Sequence, residues 1–314
     1  MEKGSRATWW DWDAGSRLFF WNWPESTQNW ARSGQPHFLI KDLPQFQKAQ
    51  KKPATEQDRF LVAKKIEKVR AHGYIAPGTV KSLTHFFFVQ KGHSDSRMVY
   101  NRTSSGLKDC LFAPHFGLPV IRHALWSLLP GYHQADIDTV EMFLNFNLGV
   151  DLHPYAGVDL TPLKLRGTGW TKRQWERWLQ NFMGMRDYPY RSIQLMIIAK
   201  FLAYGDHKDK TNSFHWERII LNLPGSVAYD PTLPWVFKVR FDGHLGCEIY
   251  VYVDDGKVTG WCKAACWSAA SRFSKIMSKL GIQDAARKRT EPLMTPGPWA
   301  GSVVHTDGGV VLLV

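Results

Sequence analysis

The stretch that most restricts what this chain can fold into is residues 248–258, EIYVYVDDGKV. Ile249, Val251 and Val253 alternate with Glu248, Tyr250 and Tyr252, the period-2 pattern of a half-buried β-strand, and the alternation breaks at Asp254-Asp255-Gly256. Asp-Gly after such a run is a strong hairpin signal, so the two aspartates are expected at a hairpin tip with the turn at Asp255-Gly256. Adjacent like charges repel, and the commonest use for holding them together is a divalent cation. A plain acidic turn is the competing reading, because Asp and Gly form turns in any case.

A chain of 314 residues suffices for one large domain or two small ones, and 44% hydrophobic with 22% charged residues marks it as folded and globular. The formal net charge is +12, with Lys and Arg spread along the chain, which favours a polyanionic partner, either nucleic acid or an acidic membrane surface. The longest apolar run, residues 195–199, stops at Lys200, far short of the roughly twenty residues a membrane span needs. No basic amphipathic helix dominates, so nucleic acid is preferred over a membrane. Fifteen tryptophans are unusual. Trp9, Trp10, Trp12, Trp21, Trp23 and Trp30 fall in the aperiodic first 50 residues, which are expected to lie as an irregular arm on the main body, with stacking on single-stranded nucleic acid as the sharper alternative. Cys110, Cys247, Cys262 and Cys266 form no CxxC unit and no secretory leader precedes them, which fits an intracellular compartment, cytoplasmic or nuclear. Cys262 and Cys266 share a helix face, but without two further ligands nearby packed thiols are expected rather than zinc.

From Glu56 the pattern is helical, with Phe60, Ile66 and Val69 on one stripe, until His72-Gly73 ends it. Strands are expected at 84–90 and 97–100 around a basic turn. Lys91 and Arg97 flank its tip, as a phosphate grip or as solvated charges. A helix is expected over 119–130, and 134–146 begins as a strand and becomes a short helical piece carrying Asp136, Asp138 and Glu141. Helices over 170–183 and 190–204 flank a Gly- and Pro-marked bend at 183–189. Residues 205–241 form a polar, proline-bearing connection ending in strands, 261–280 is helical, and two short strands follow at 299–304 and 310–314.

Taken in order, these segments resemble the fingers and palm of reverse transcriptases, particularly those of retroelements. Tyr252-Val253-Asp254-Asp255 resembles the family's aspartate-pair motif, and Asp138 followed five positions later by Phe143 resembles its other acidic motif. Asp136 shares a strand face with Asp138 and competes with it, but only Asp138 stands at the right distance from Phe143. Phe88-Val89-Gln90-Lys91 with Arg97-Met98-Val99-Tyr100-Asn101 resembles the fingers hairpin, and Gly117-Leu118-Pro119 through Gly131-Tyr132 the lead-in to the first acidic motif. Phe182-Met183-Gly184 with Pro189 and Gln194 resembles the template-contacting bend and helix, Gly281 with Lys288 the palm's lysine motif, and Trp299-Ala300-Gly301-Ser302-Val303-Val304 the primer-grip hairpin.

The resemblance covers about residues 60–310 and implies an α+β right-hand polymerase architecture, with an antiparallel palm sheet backed by helices. Its parts would be a Trp-rich arm (1–55), fingers and lead-in (56–135) and a palm (136–314) with an inserted segment at about 205–241. The implied function is RNA-directed DNA polymerisation with an RNA template, a DNA or RNA primer and dNTPs. Asp138, Asp254 and Asp255 would bind two Mg²⁺ ions, or Mn²⁺ in their place. Lys91 and Arg97 would grip the triphosphate, Phe143 would sit beneath the sugar and select deoxynucleotides, and Lys288 would act as general acid toward pyrophosphate. Gly184 and Pro189 would contact template, and Trp299 and Gly301 primer. The chain departs from the family in having Tyr188 before Pro189, a long interval from Gly184 to Tyr252, and no helical thumb, ribonuclease H or integrase region after the primer-grip segment. A thumb would come from another chain or a further C-terminal region. A truncated, inactive remnant that only binds nucleic acid is the alternative, and an RNA-dependent RNA polymerase is disfavoured by Phe143. On the polyanion reading, affinity for primer-template followed by fluorescence anisotropy is expected to fall by orders of magnitude between about 50 and 200 mM salt, and a salt-independent affinity would remove that reading.

Overall fold

The computed structural model describes residues 23–313 except 92–94, 102, 126, 166–172, 232, 234, 286–288, 290, 296, 301 and 306–310. The helices in chain order are α1 (Glu25–Ser33), α2 (Glu56–Ala71), α3 (Leu107–Cys110), α4 (Ile121–Leu125), α5 (Tyr188–Tyr204) and α6 (Lys263–Lys279). The strands are β1 (Ile75–Pro77), β2 (His85–Lys91), β3 (Asp95–Asn101), β4 (His133–Asp138), β5 (Gly157–Asp159), β6 (Trp175–Trp178), β7 (Arg218–Leu221), β8 (Val236–Val239), β9 (Glu248–Tyr252), β10 (Asp255–Gly260), β11 (Gly297–Trp299), β12 (Ser302–Val304) and β13 (Val311–Leu313). They assort into two compact units, each made of two chain segments. One holds Met1–His115 with Phe143–Arg191, the other Phe116–Met142 with Ser192–Val314.

In the first unit α2 forms over the residues expected, but the stripe is corrected: Phe60 is exposed, and Val62 joins Ile66 on the buried face. Thr55 caps its start by accepting a hydrogen bond from the Asp58 amide (3.0 Å), and Lys68 and Arg70 sit in the last turn where the helix dipole favours cations. Val62 and Ile66 enter a core with Phe86, Leu107, Trp178 and Phe182. β2 and β3 pair as the basic hairpin expected from sequence, with Val89 opposite Arg97 and Lys91 opposite Asp95. Two further expectations are corrected. Residues 25–33 are the helix α1 and not part of an irregular arm, while Trp9, Trp10, Trp12 and Trp21 lie outside the described residues. The helix expected over 170–183 is instead β6, the central strand of the antiparallel sheet β1-β6-β5. Its alternation is chemical: Glu176 is buried against Arg70 (2.5 Å) and Trp178 is buried in stacking contact with Phe182 (centroids 4.8 Å), a placement that bulky aromatics favour in strands.

The 183–189 bend is fixed by a buried charge. Asp187 Oδ2 meets His37 Nδ1 at 2.7 Å and Arg191 Nε at 2.8 Å, with both Asp187 and Arg191 nearly solvent-free. Burial alone would raise the Asp187 pKa, but hydrogen bonds and charge from His37 and Arg191 outweigh it and hold the group below its ordinary 3.8.

In the second unit β10 is the middle strand of the antiparallel sheet β4-β10-β9, and α6 packs on it. The approach is close at Gly260, where an added Cβ would lie 2.9 Å from the Cys266 amide nitrogen and 3.1 Å from Cys247 Sγ, so only glycine lets the helix seat. The expected thiol pair divides its roles. Cys262 caps α6 through its sulfur, whereas Cys266 is buried and burial pushes its pKa up, as it pushes Cys247 to about 12. Burial thus favours the neutral thiol at Cys266 and Cys247. The helix expected over 119–130 is ordered as helix only at α4. Within residues 205–241, β7 and β8 pair as a separate two-stranded ribbon, and β11, β12 and β13 form a three-stranded antiparallel sheet. Among the described residues no helix is long and apolar enough to cross a membrane.

Asp187→Asn leaves Arg191 without its buried counter-charge and is expected to destabilise the first unit by roughly 3–5 kcal/mol at neutral pH, measured by urea denaturation. Because the folded-state pKa of Asp187 is lowered, its contribution is full above 3.8 and is lost as pH falls through the folded value. The gap between wild type and variant should therefore close only in that acid range.

Candidate active site

The acidic hairpin forms, with its turn two residues earlier than Asp-Gly implies. Tyr252 pairs with Asp255, so Val253 and Asp254 are the two central residues and Asp255 already belongs to β10. Gly256 stands opposite Ile137, where an added Cβ would meet the Ile137 carbonyl oxygen at 3.1 Å. Close packing, not the turn, claims this glycine. The turn conformation falls on Val253, whose φ of 57° is a left-handed value that costs an ordinary L-residue roughly 1–2 kcal/mol. Backbone strain of this kind collects at functional sites.

β10 also pairs with β4, and the register sets Asp255 directly opposite Asp138. Asp254 follows on the turn, its backbone carbonyl accepting from the Thr139 amide at 3.0 Å. The Asp138 carbonyl accepts from the Ala285 amide at 2.8 Å, and the Asp255 carbonyl from Trp299 Nε1 at 3.3 Å. The Asp254 and Asp255 side chains are exposed and Asp138 is half-buried. Three aspartates from two neighbouring strands and their turn are thus held by their main chains with carboxylates at one sheet edge.

The side-chain alternation gives this sheet two unlike faces. Gly256, Val258 and Gly260 lie on the α6 side, while Asp255, Lys257 and Thr259 share the other with Gln134, Asp136 and Asp138 of β4. Lys257 is 0% exposed; its Nζ donates to Gln134 Oε1 at 2.8 Å and to Asp136 Oδ1 at 2.5 Å. The competition between Asp136 and Asp138 is therefore accompanied by an ion pair that the sequence reading missed. A lysine between glycine, valine and threonine in a central strand was the available signal.

Trp299 is buried against the rings of Tyr250 (6.1 Å) and Tyr252 (6.4 Å), so the segment resembling a primer grip lies on the acidic hairpin. Gln134 Nε2 reinforces this by donating to the Thr295 and Val304 carbonyls, both at 3.0 Å. Arg289, a neighbour of Lys288 in sequence, is engaged by Asp284 and Ser274. Lys288 and Gly301 lie outside the described residues. The remaining sequence candidates belong to the first unit. Lys91 and Arg97 are placed there by their backbones in β2 and β3. Phe143 packs edge-on against Tyr188 (5.8 Å) at the border of that unit's core, Gly184 adopts φ 104°, and Pro189 falls in the first turn of α5, where its missing N–H is harmless.

Among the described residues no three His, Cys, Asp or Glu side chains converge as a ready-made metal cage. Facing carboxylates from Asp138 and Asp255, with Asp254 adjoining, still match the donor chemistry of Mg²⁺, which takes one or two carboxylates and completes its shell with water and substrate phosphate.

No protein-family model and no curated protein matches this sequence. Among solved structures, the chain is similar to the foamy viral protease-reverse transcriptase determined in complex with an RNA/DNA hybrid. The TM-score is 0.58 at 14% sequence identity, over 89% of this chain. The chain spans about 30% of that protein's length. At this identity the likeness is one of fold: mixed α/β with antiparallel sheets, similar to a reverse transcriptase.

If strain is concentrated at Val253, then Val253→Gly should leave thermal stability unchanged or raise it by up to about 1 kcal/mol. Ile249→Ala, emptying a fully buried site one strand-length away, should cost about 2–5 kcal/mol in the same calorimetric measurement.

Proposed function

We propose that this chain comprises the fingers and palm of an RNA-directed DNA polymerase of a retroelement, copying an RNA template from a DNA or RNA primer with dNTPs. The observation that carries the reading is the cross-strand pairing of Asp138 with Asp255 beside a strained turn bearing Asp254, in a fold similar to a reverse transcriptase. The free thiols of Cys110, Cys247, Cys262 and Cys266 accord with a reducing intracellular setting.

In this reading Asp138, Asp254 and Asp255 would hold Mg²⁺. When bound, the ions supply charge neutralisation at the leaving pyrophosphate and activation of the primer hydroxyl. The protein's own part is positioning. Bonds from the Thr139 and Ala285 amides and from the Trp299 indole to their backbone carbonyls fix the three aspartates before substrate arrives, so little reorganisation is required during reaction. Trp299 and Gly301 would present the primer end, Gly184 and Pro189 the template, and Lys91, Arg97 and Lys288 the triphosphate. Phe143 would exclude a 2′-hydroxyl by bulk.

The test is primer extension on an RNA template with dNTPs and Mg²⁺ at high protein concentration. Wild type is expected to extend and Asp254→Asn to fall to background while still binding hybrid. Phe143→Ala should admit ribonucleotides that wild type rejects. A folded wild type that binds hybrid in a salt-sensitive way yet extends nothing would replace the polymerase with an inactive nucleic-acid-binding relative.

A further inference from the structure

The polar face of the β4-β10-β9 sheet carries a cation for which the polymerase chemistry gives no stated use. Lys257 stands directly opposite Asp136 on one side and Tyr250 on the other, in the middle strand, with no solvent exposure. An ammonium in such a place is costly unless fully paired. Here the pairing is specific. Asp136 Oδ1 accepts at 2.5 Å and Gln134 Oε1 at 2.8 Å, and Gln134 is held with that oxygen toward the lysine because its amide nitrogen is engaged by Thr295 and Val304. β11 closes over the group, since a Cβ added at Gly297 would lie 3.5 Å from Lys257 Nζ and 3.7 Å from Asp136 Oδ2. Asp136 and Asp138 are two residues apart on one strand face, so two carboxylates of identical chemistry flank the same sheet edge.

We infer that Lys257 is the resident counter-ion that gives these two aspartates different tasks: it engages Asp136 and keeps it out of the divalent-cation set, leaving that set to Asp138, Asp254 and Asp255. Lys257 is thereby a positioning residue and touches no reacting atom. The inference rests on the polymerase reading. Its physical basis is Coulombic: a buried cation within hydrogen-bond reach of Asp136 cancels that carboxylate's attraction for a second cation. Loss of the lysine would present four carboxylates where three now act.

Terbium(III) binding to the full chain, read by tryptophan-sensitised emission, tests this without turnover. Trp299, bonded to the Asp255 carbonyl, provides a donor at the site. Wild type is expected to show saturable emission that Asp138→Asn removes. If it does not, the polymerase site itself fails and the inference with it. Given that result, Lys257→Gln should tighten terbium by about tenfold or more, because Asp136 is released, and Asp136→Asn should weaken it several-fold, because the lysine charge is left unbalanced. The double variant Lys257→Gln/Asp136→Asn should return to within about threefold of wild type, the pair having been neutralised together. An unchanged affinity in folded Lys257→Gln overturns the inference. So does a double variant as weak as Asp136→Asn, which would make Asp136 a ligand. Should Lys257→Gln fail to fold by near-ultraviolet circular dichroism, the comparison of wild type, Asp136→Asn and the neutral double variant still decides.

Discussion

The pairing of β10 with β4 is the constraint on which the second unit depends. A strand's side chains alternate with period 2, so a one-residue slip between these strands would exchange every residue of the two faces. It would turn Asp138 toward α6 and bring Ile137 to the polar side. The register is pinned from both faces. On one, Gly256 admits Ile137 and Phe273 and Gly260 admits the backbone of α6. On the other, Lys257 reaches Asp136 and Thr259 bonds Ser127 at 2.9 Å. With Lys257 buried and Asp136 partly exposed, the ion pair is weak support for stability as such, because desolvation of the lysine offsets much of the attraction. A misplaced one is severely unfavourable, and that asymmetry makes it effective at excluding the wrong register.

Much of this was legible in the sequence. Helix α2, the β2–β3 and β9–β10 hairpins, α5, α6 and the strand ending at Asp138 all follow from apolar periodicity and punctuation by Gly and Pro. What failed did so for tertiary reasons. Residues 175–178 contain Glu176 and two tryptophans, whose local pattern suits a helix until Arg70 and Phe182 supply partners for alternate positions. The Asp255-Gly256 signal named the right hairpin but the wrong turn, because the glycine is required by Ile137 across the sheet and not by the backbone angle. The aspartates of the candidate site were visible as a motif. Lys257 was not, since nothing local says that a lysine will be buried or which of two nearby carboxylates it will choose.

The division of the chain into two units adds a further limit on what chain order reveals. Each unit takes one segment, releases the chain, and receives it back, so residues 143–191 share a core with α2 and β2 and not with the acidic strand β4 that precedes them. Phe143 illustrates the consequence: five positions after Asp138, it packs with Tyr188 at the edge of the first unit's core. A sequence spacing links it to the aspartates, while its packing energy is drawn from elsewhere.

The same economy explains how three neighbouring aspartates tolerate one another. Each backbone carbonyl accepts from a different segment: Asp138 from Ala285, Asp254 from Thr139 and Asp255 from the Trp299 indole. The main chain is therefore held while mutual repulsion acts only on side chains, two of which are exposed where water screens them. Val253 pays in backbone strain for the tight turn that makes this possible. A looser turn would relieve the strain and let the carboxylates separate. Holding them together in advance is what a site needs if its cations arrive with substrate, since the protein then contributes fixed negative charge and the substrate contributes the remaining ligands.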